Sequence, residues 1–180
     1  MKYSVLRLSS FFVIALIAGC TDSYTLNDAI TNYKERDKEI NDLTNYYLSK
    51  TPVDQSIMFG LGKGGNFNLG IALSDGRIDP QRPRKGGMDI AKESTIADSL
   101  LRSINWTNEI VDSLTFKLKA SKCVSITNGD PIRLVYNRGG LTQYTYLIYR
   151  TPLPDSTLNR KGVKEGVINN RVVVSRLFGL

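Results

Sequence analysis

Residues Gly60, Gly62 and Gly65 lie in the stretch FGLGKGGNFNLG and spell G-x-G-x-x-G. That spacing cradles a pyrophosphate where the glycines open a helix whose N-terminal amides hold the phosphates. Here Phe67, Leu69, Ile71 and Leu73 alternate with Asn68, Gly70, Ala72 and Ser74, which is the two-residue period of a strand. The glycines are therefore expected to supply positive-φ positions in a hairpin turn, and no nucleotide cofactor is assigned. Glu109, Asp112 and Asp130 fall near expected strand ends. They are the candidates for glycoside chemistry, which needs two carboxyl groups about 5–10 Å apart. A chain with 17 acidic residues produces such a trio by chance, so surface solvation is the expected role of all three.

The chain has no histidine, which removes Ser-His-Asp and Cys-His catalysis together with imidazole metal sites. Its two cysteines, Cys20 and Cys123, are too few for a cysteine zinc or iron–sulfur centre. No Ser-x-x-Lys occurs, and Thr31-x-x-Lys34 falls on the solvated side of a predicted helix. Asp75 and Asp79 lack the alternating spacing of a calcium loop. No catalytic residue and no metal ligand is assigned.

The segment SDGRIDPQRPRKGG, residues 74–87, is polar and turn-rich, with Pro80 and Pro83 keeping it extended. Its Arg82, Arg84 and Lys85 form a candidate anion-binding loop for lipid head groups, lipopolysaccharide phosphate or peptidoglycan carboxylates. Each basic group near an anionic surface contributes about 1 kcal/mol. Aromatic residues do not interleave with these charges, so nucleic acid is not an expected partner.

Cys20 has a different chemistry in view. The start MKYSVLRLSSFFVIALIAGC has basic Lys2 and Arg7, an apolar run from Phe11 to Ala18, then Gly19 and Cys20. That run is too short to span a bilayer, which takes about 20 apolar residues, but it fits a cleavable secretory signal. Ile17-Ala18-Gly19-Cys20 resembles the lipobox of bacterial lipoproteins. The resemblance implies cleavage before Cys20, diacylglycerol on its sulfur and a fatty acid such as palmitate on the new amino group. At about 0.8 kcal/mol per buried methylene, three chains would hold the protein on a bilayer essentially permanently. Thr21, in the position where enterobacterial lipoproteins carry an inner-membrane aspartate, implies the periplasmic face of the outer membrane. Asp22 one place later leaves the inner membrane open, and a Gram-positive host would offer only its cell membrane. Loss of Lys2 and Arg7 from 24 basic residues leaves 22 against 17 acidic ones, about +5. Cys123 then lacks an unlipidated partner and is expected to be a buried, inert thiol.

The mature chain must hold these groups on an α+β frame. After a short polar tether, Thr25 and Asp28 mark a helix start. Leu26, Tyr33, Ile40 and Tyr47 recur every seven residues, so an amphipathic helix is expected over 26–49, broadened by Ile30 and Leu43. That helix either docks on its own domain or stands off as a stalk able to form a homo-oligomer. Beyond Pro52 a mainly antiparallel sheet of about seven strands is expected, with one or two packed helices. One helix starts at Thr95 and carries Ile96, Leu100, Leu101 and Ile104 on one face, with Trp106 as a core anchor. Leu114, Phe116, Leu118 and Ala120 read as a half-buried strand, followed by strands at 123–127, 132–137, 141–149 and 171–178. The organisation is signal peptide 1–19, anchor and helix 20–50, and one globular domain 51–180. Together these point to a membrane-anchored envelope lipoprotein that binds a protein partner or an envelope polymer without catalysis. The competing classes are a peptidoglycan- or glycan-acting enzyme using carboxylates, and a lipoprotein that neutralises a toxin or excludes a phage.

Overall fold

Thr25 starts the first helix. In the computed structural model, which describes residues 24–73, 85–139, 142–160 and 166–178, Asp28 N–H donates to Thr25 Oγ1 at 3.2 Å and Thr25 N–H donates to Asp28 Oδ2 at 2.7 Å. This reciprocal capping box opens α1, Leu26–Glu35. The single helix expected over 26–49 is in fact two. Arg36 leaves helical geometry (φ −124°, ψ 27°), and α2 runs Asp37–Lys50. The break aims the Arg36 guanidinium at the Ala120 carbonyl, 3.0 Å away, at the end of a later helix. Carbonyls at a helix C-terminus carry partial negative charge and favour a cation there. The seven-residue stripe faces inward: Ala29, Tyr33, Ile40, Leu43 and Tyr47 are all buried. The pair docks on its own domain, and the stripe that a stalk or coiled coil would need is consumed inside the fold. Both helices belong to the core cluster of the sheet.

The strands are β1 Gln55–Leu61, β2 Phe67–Leu73, β3 Lys85–Ile90, β4 Ser125–Thr127, β5 Ile132–Gly139, β6 Thr142–Ile148, β7 Val167–Asn169 and β8 Val172–Phe178. They form one sheet in the order β3-β2-β1-β4-β5-β6-β8-β7, with every neighbouring pair antiparallel. Three further helices are α3 Thr95–Ser103, α4 Asn108–Ala120 and the single turn α5 Asp155–Leu158. The fold is α+β, as expected, with differences in detail. The segment expected as a strand over 114–120 is the C-terminal half of α4. Val111, Leu114 and Leu118 are buried on one helical stripe, while Phe116 is 72% exposed. Thirteen residues without Gly or Pro, ending in the good helix formers Lys117, Leu118, Lys119 and Ala120, are compatible with that outcome. Strands β3 and β7 replace it and bring the count among the described residues to eight. Helix α3 is capped by Ser94 rather than by Thr95: Ser94 Oγ accepts the Ala97 N–H at 3.1 Å. Its buried face is Ala97 and Leu101, leading to Ile104, and Ile96 is turned outward.

Cross-strand partners Phe59, Ile126, Leu134, Tyr146 and Val174 form one row through the sheet. All five are buried on the helix-covered face, where the Tyr146 hydroxyl donates to the Ala29 carbonyl at 2.8 Å. The next row, Gly60, Ser125, Val135, Thr145 and Ser175, points to the other face, because side chains alternate along a strand. Trp106 is the expected core anchor: its ring meets Tyr47 and Phe59 edge-on, and Nε1 donates to Lys50 O at 2.8 Å.

The sheet has two distinct ends. At one lie Leu61, Phe67, Ile90 and Thr142. Helix α1 crosses this end, with Tyr24 edge-on to Tyr136 at 5.9 Å and Arg36 on Ala120. At the other lie Gln55, Leu73, Ile132 and the 128–131 turn, where Asn128 bonds to β1.

Candidate functional site

The glycine-rich loop between β1 and β2 is a hairpin turn, as expected, built around a short 3-10 turn, Lys63–Gly65. Gly64 and Gly65 have φ of 58° and 92°, values that glycine adopts without steric cost. Gly62 is required for another reason. A Cβ there would stand 2.8 Å from both the Asn66 carbonyl carbon and Asp89 Oδ1. Asp89, on β3, organises the loop. Its carboxylate accepts the Lys63 N–H at 2.5 Å, its carbonyl accepts from Asn66 Nδ2 at 3.1 Å, and its N–H donates to Asn68 Oδ1 at 2.8 Å. An amide that a phosphate-binding loop would offer to a ligand is thus given to an anion of the chain itself. Asp89 adopts φ 54°, a conformation that aspartate tolerates better than most residues.

The three candidate carboxylates have three separate sets of partners. Glu109 lies in the first turn of α4, where a hydrogen bond from Thr107 and then its own backbone amide hold its carboxyl below the usual range. Asp112, one turn on, pairs with Lys92. Asp130, in the turn between β4 and β5, accepts the Arg150 N–H at 3.2 Å. Each bond is structural.

Lys85 opens β3 and is exposed, part of a strand where an extended loop was expected. Arg82 and Arg84 of the candidate anion-binding loop lie outside the described residues, as do Ile17, Ala18, Gly19, Cys20 and Thr21. The strand ends that flank the loop, Leu73 and Lys85, lie at the sheet end away from α1.

Cys123 is buried, as expected, and burial pushes its thiol up to about 12. Around it is a polar network that sequence reasoning missed. Asn32 Nδ2 donates to Ser121 O at 3.2 Å and to the Tyr146 hydroxyl at 3.1 Å. A second network joins Tyr47 to the sheet: its hydroxyl donates to Ile57 O and accepts the Asn128 N–H at 3.2 Å. Asn128 in turn brackets β1, accepting from Ile57 N at 2.6 Å and donating to Gln55 O at 2.7 Å. Both tyrosines are raised above their ordinary values by burial. These residues hold elements together over long sequence separations.

A surface hollow of about 410 Å³ is lined by Thr95, Asp98, Ser99 and Arg102. All four are exposed residues of α3, so one helix face forms it. Among the described residues no group of three or more acidic or cysteine side chains is placed to hold a metal, and no helix is long and apolar enough to cross a membrane. No protein-family model, curated protein or solved structure matches the chain.

Proposed function

We propose that this chain is an envelope lipoprotein, anchored through acylated Cys20 on the periplasmic face of the outer membrane. Its α+β domain binds a protein partner or an envelope polymer without catalysis. The observation that carries the reading is the run Ile17-Ala18-Gly19-Cys20 behind a basic and then apolar leader. Two features of the fold support it. The domain begins at Thr25, only a few residues after the cysteine, as suits a fold held close to its anchor. The carboxylates that an enzyme reading needs are each tied to a neighbour of their own.

Cys20→Ser tests the anchor. The parent is expected to incorporate labelled palmitate and sediment with outer membranes, and the variant to do neither. Normal processing and membrane partition of the variant would refute the reading. Crosslinking in the native envelope, followed by mass spectrometry of the lipidated protein, is expected to recover a specific protein or peptidoglycan fragment.

A further inference from the structure

The distance along the chain from the anchor to the first ordered contact fixes which end of the domain meets the membrane. Four residue steps, through Thr21, Asp22 and Ser23, separate the Cα atoms of Cys20 and Tyr24. At 3.3–3.6 Å per residue, their span is at most about 14 Å. Six residue steps of β1, from Gln55 to Leu61, place the two ends of the sheet about 20 Å apart. Turning the far end toward the bilayer would need a tether longer than that separation, so only the end crossed by α1 can rest there.

The chemistry of that end suits a head-group layer. Tyr24 is 41% exposed, with its ring edge on Tyr136; a tyrosine with an apolar body and a polar tip is favoured at membrane–water interfaces. The one acid in the first turn of α1, Asp28, spends its carboxylate on the Thr25 N–H and Oγ1, which hold it ionised and below the usual carboxylate range. Thr31 and Lys34 are exposed on α1, and Lys63 and Lys122 are exposed on loops at the same end. At the opposite end lie Val53, 97% exposed, and Asp130 with its partner Arg150.

We propose that the α1 end of the sheet is a bilayer-contact surface, with Tyr24 in the head-group layer and the end carrying Val53, Asp130 and Arg150 facing away from the membrane. The proposal rests on lipidation of Cys20. It places the partner-binding surface on the outward end.

The test uses the full lipidated chain in phosphatidylethanolamine–phosphatidylglycerol vesicles, with and without brominated acyl chains. Trp106 is the sole tryptophan and sits beside Lys50 toward the outward end, so wild-type emission is expected to be unchanged by bromine. Tyr24→Trp is expected to add a component quenched several-fold more than the one added by Val53→Trp. An environment-sensitive dye on Thr31→Cys, selective because Cys123 is buried, reports the same surface without altering Tyr24. Its emission is expected to shift to the blue on vesicle binding. Protein that floats with vesicles yet shows Val53→Trp quenched as strongly as Tyr24→Trp would overturn the orientation and leave the anchor standing. Protein that fails to float would overturn both.

Discussion

Asp89 shows how a single side chain settles what a motif can do. It accepts the Lys63 amide inside a G-x-G-x-x-G loop, leaving the loop closed on itself. Replacing it by alanine leaves that amide without its charged acceptor, and such losses cost about 1–3 kcal/mol. Asp89→Ala is therefore expected to lower the urea midpoint by a corresponding amount. Asp89→Asn, which keeps an acceptor oxygen, should lower it less. The turn itself was legible from Gly60, Gly62 and Gly65 followed by strand alternation. Its partner was not, because 26 residues separate Lys63 from Asp89 and no local pattern links them. Cys123 was legible as a buried thiol, and its burial has a pH consequence. The unfolded thiol loses its proton near the ordinary value of 9.0, while the folded one holds it to about 12. The neutral thiol therefore stabilises the fold fully below about pH 9, and that stabilisation falls as pH rises from there toward 12. Urea titrations from pH 8.5 to about 10.5 should show a shallower loss of stability in Cys123→Ala than in the parent. Tyr33, Tyr47 and Tyr146, raised in the same direction, supply the slope that remains.

At the scale of elements, α4 is the instructive case. Leu114, Phe116, Leu118 and Ala120 alternate as a strand would, yet Val111, Leu114 and Leu118 also fit a helical stripe, and the fold uses the second pattern. Only Phe116 distinguishes the two. As a strand residue it would be buried beside Leu114 and Leu118; on the helix it faces solvent. Phe116→Asp is thus expected to shift stability by no more than about 0.5 kcal/mol, as surface changes do. Leu118→Ala removes a fully buried side chain and is expected to cost about 2–5 kcal/mol. Thermal melts of the two variants make the comparison. The signal that could have found the helix is Thr107, which sits at its N-terminal boundary. Elements with strong local grammar were legible: the capping box at Thr25, the alternation of β2, and the hairpin residues between β4 and β5. Strands β3 and β7 were not. Lys85-Gly-Gly-Met and the three residues of β7 have weak strand preference and pair only because a neighbour supplies the ladder. Short or glycine-containing strands at both edges also suit an exposed sheet margin, since they offer a poor template to other chains.

For the molecule as a whole, helices α1 and α2 share one core with the sheet. Ala29, Tyr33, Ile40, Leu43 and Tyr47 are packed into the sheet's core. Each large side chain buried there contributes about 1.5–3 kcal/mol, against a typical net stability of 5–15 kcal/mol. A chain beginning at Thr51 is accordingly expected to lack a cooperative thermal transition and dispersed amide resonances, and one beginning at Tyr24 to have both. The boundary at residue 51 looked natural in the sequence because Pro52 ends a helix there. Periodicity reveals that a helix has an apolar face, but not what covers it. The same limit applies to function, since the lipobox-like run at Cys20 is the basis of a proposed address only and the carboxylates name only residue types.

The break at Arg36 and the cap at Thr25 also bear on how this domain could be released from the proposed anchor. Helices α1 and α2 are packed into the core, so a protease that releases the domain intact from the proposed anchor cuts between Cys20 and Tyr24. Proteolysis within α1 or α2 would remove part of the core and release a chain destined for degradation. A soluble form found in the periplasm should therefore begin within those few residues, and its first amino acid would record the cut.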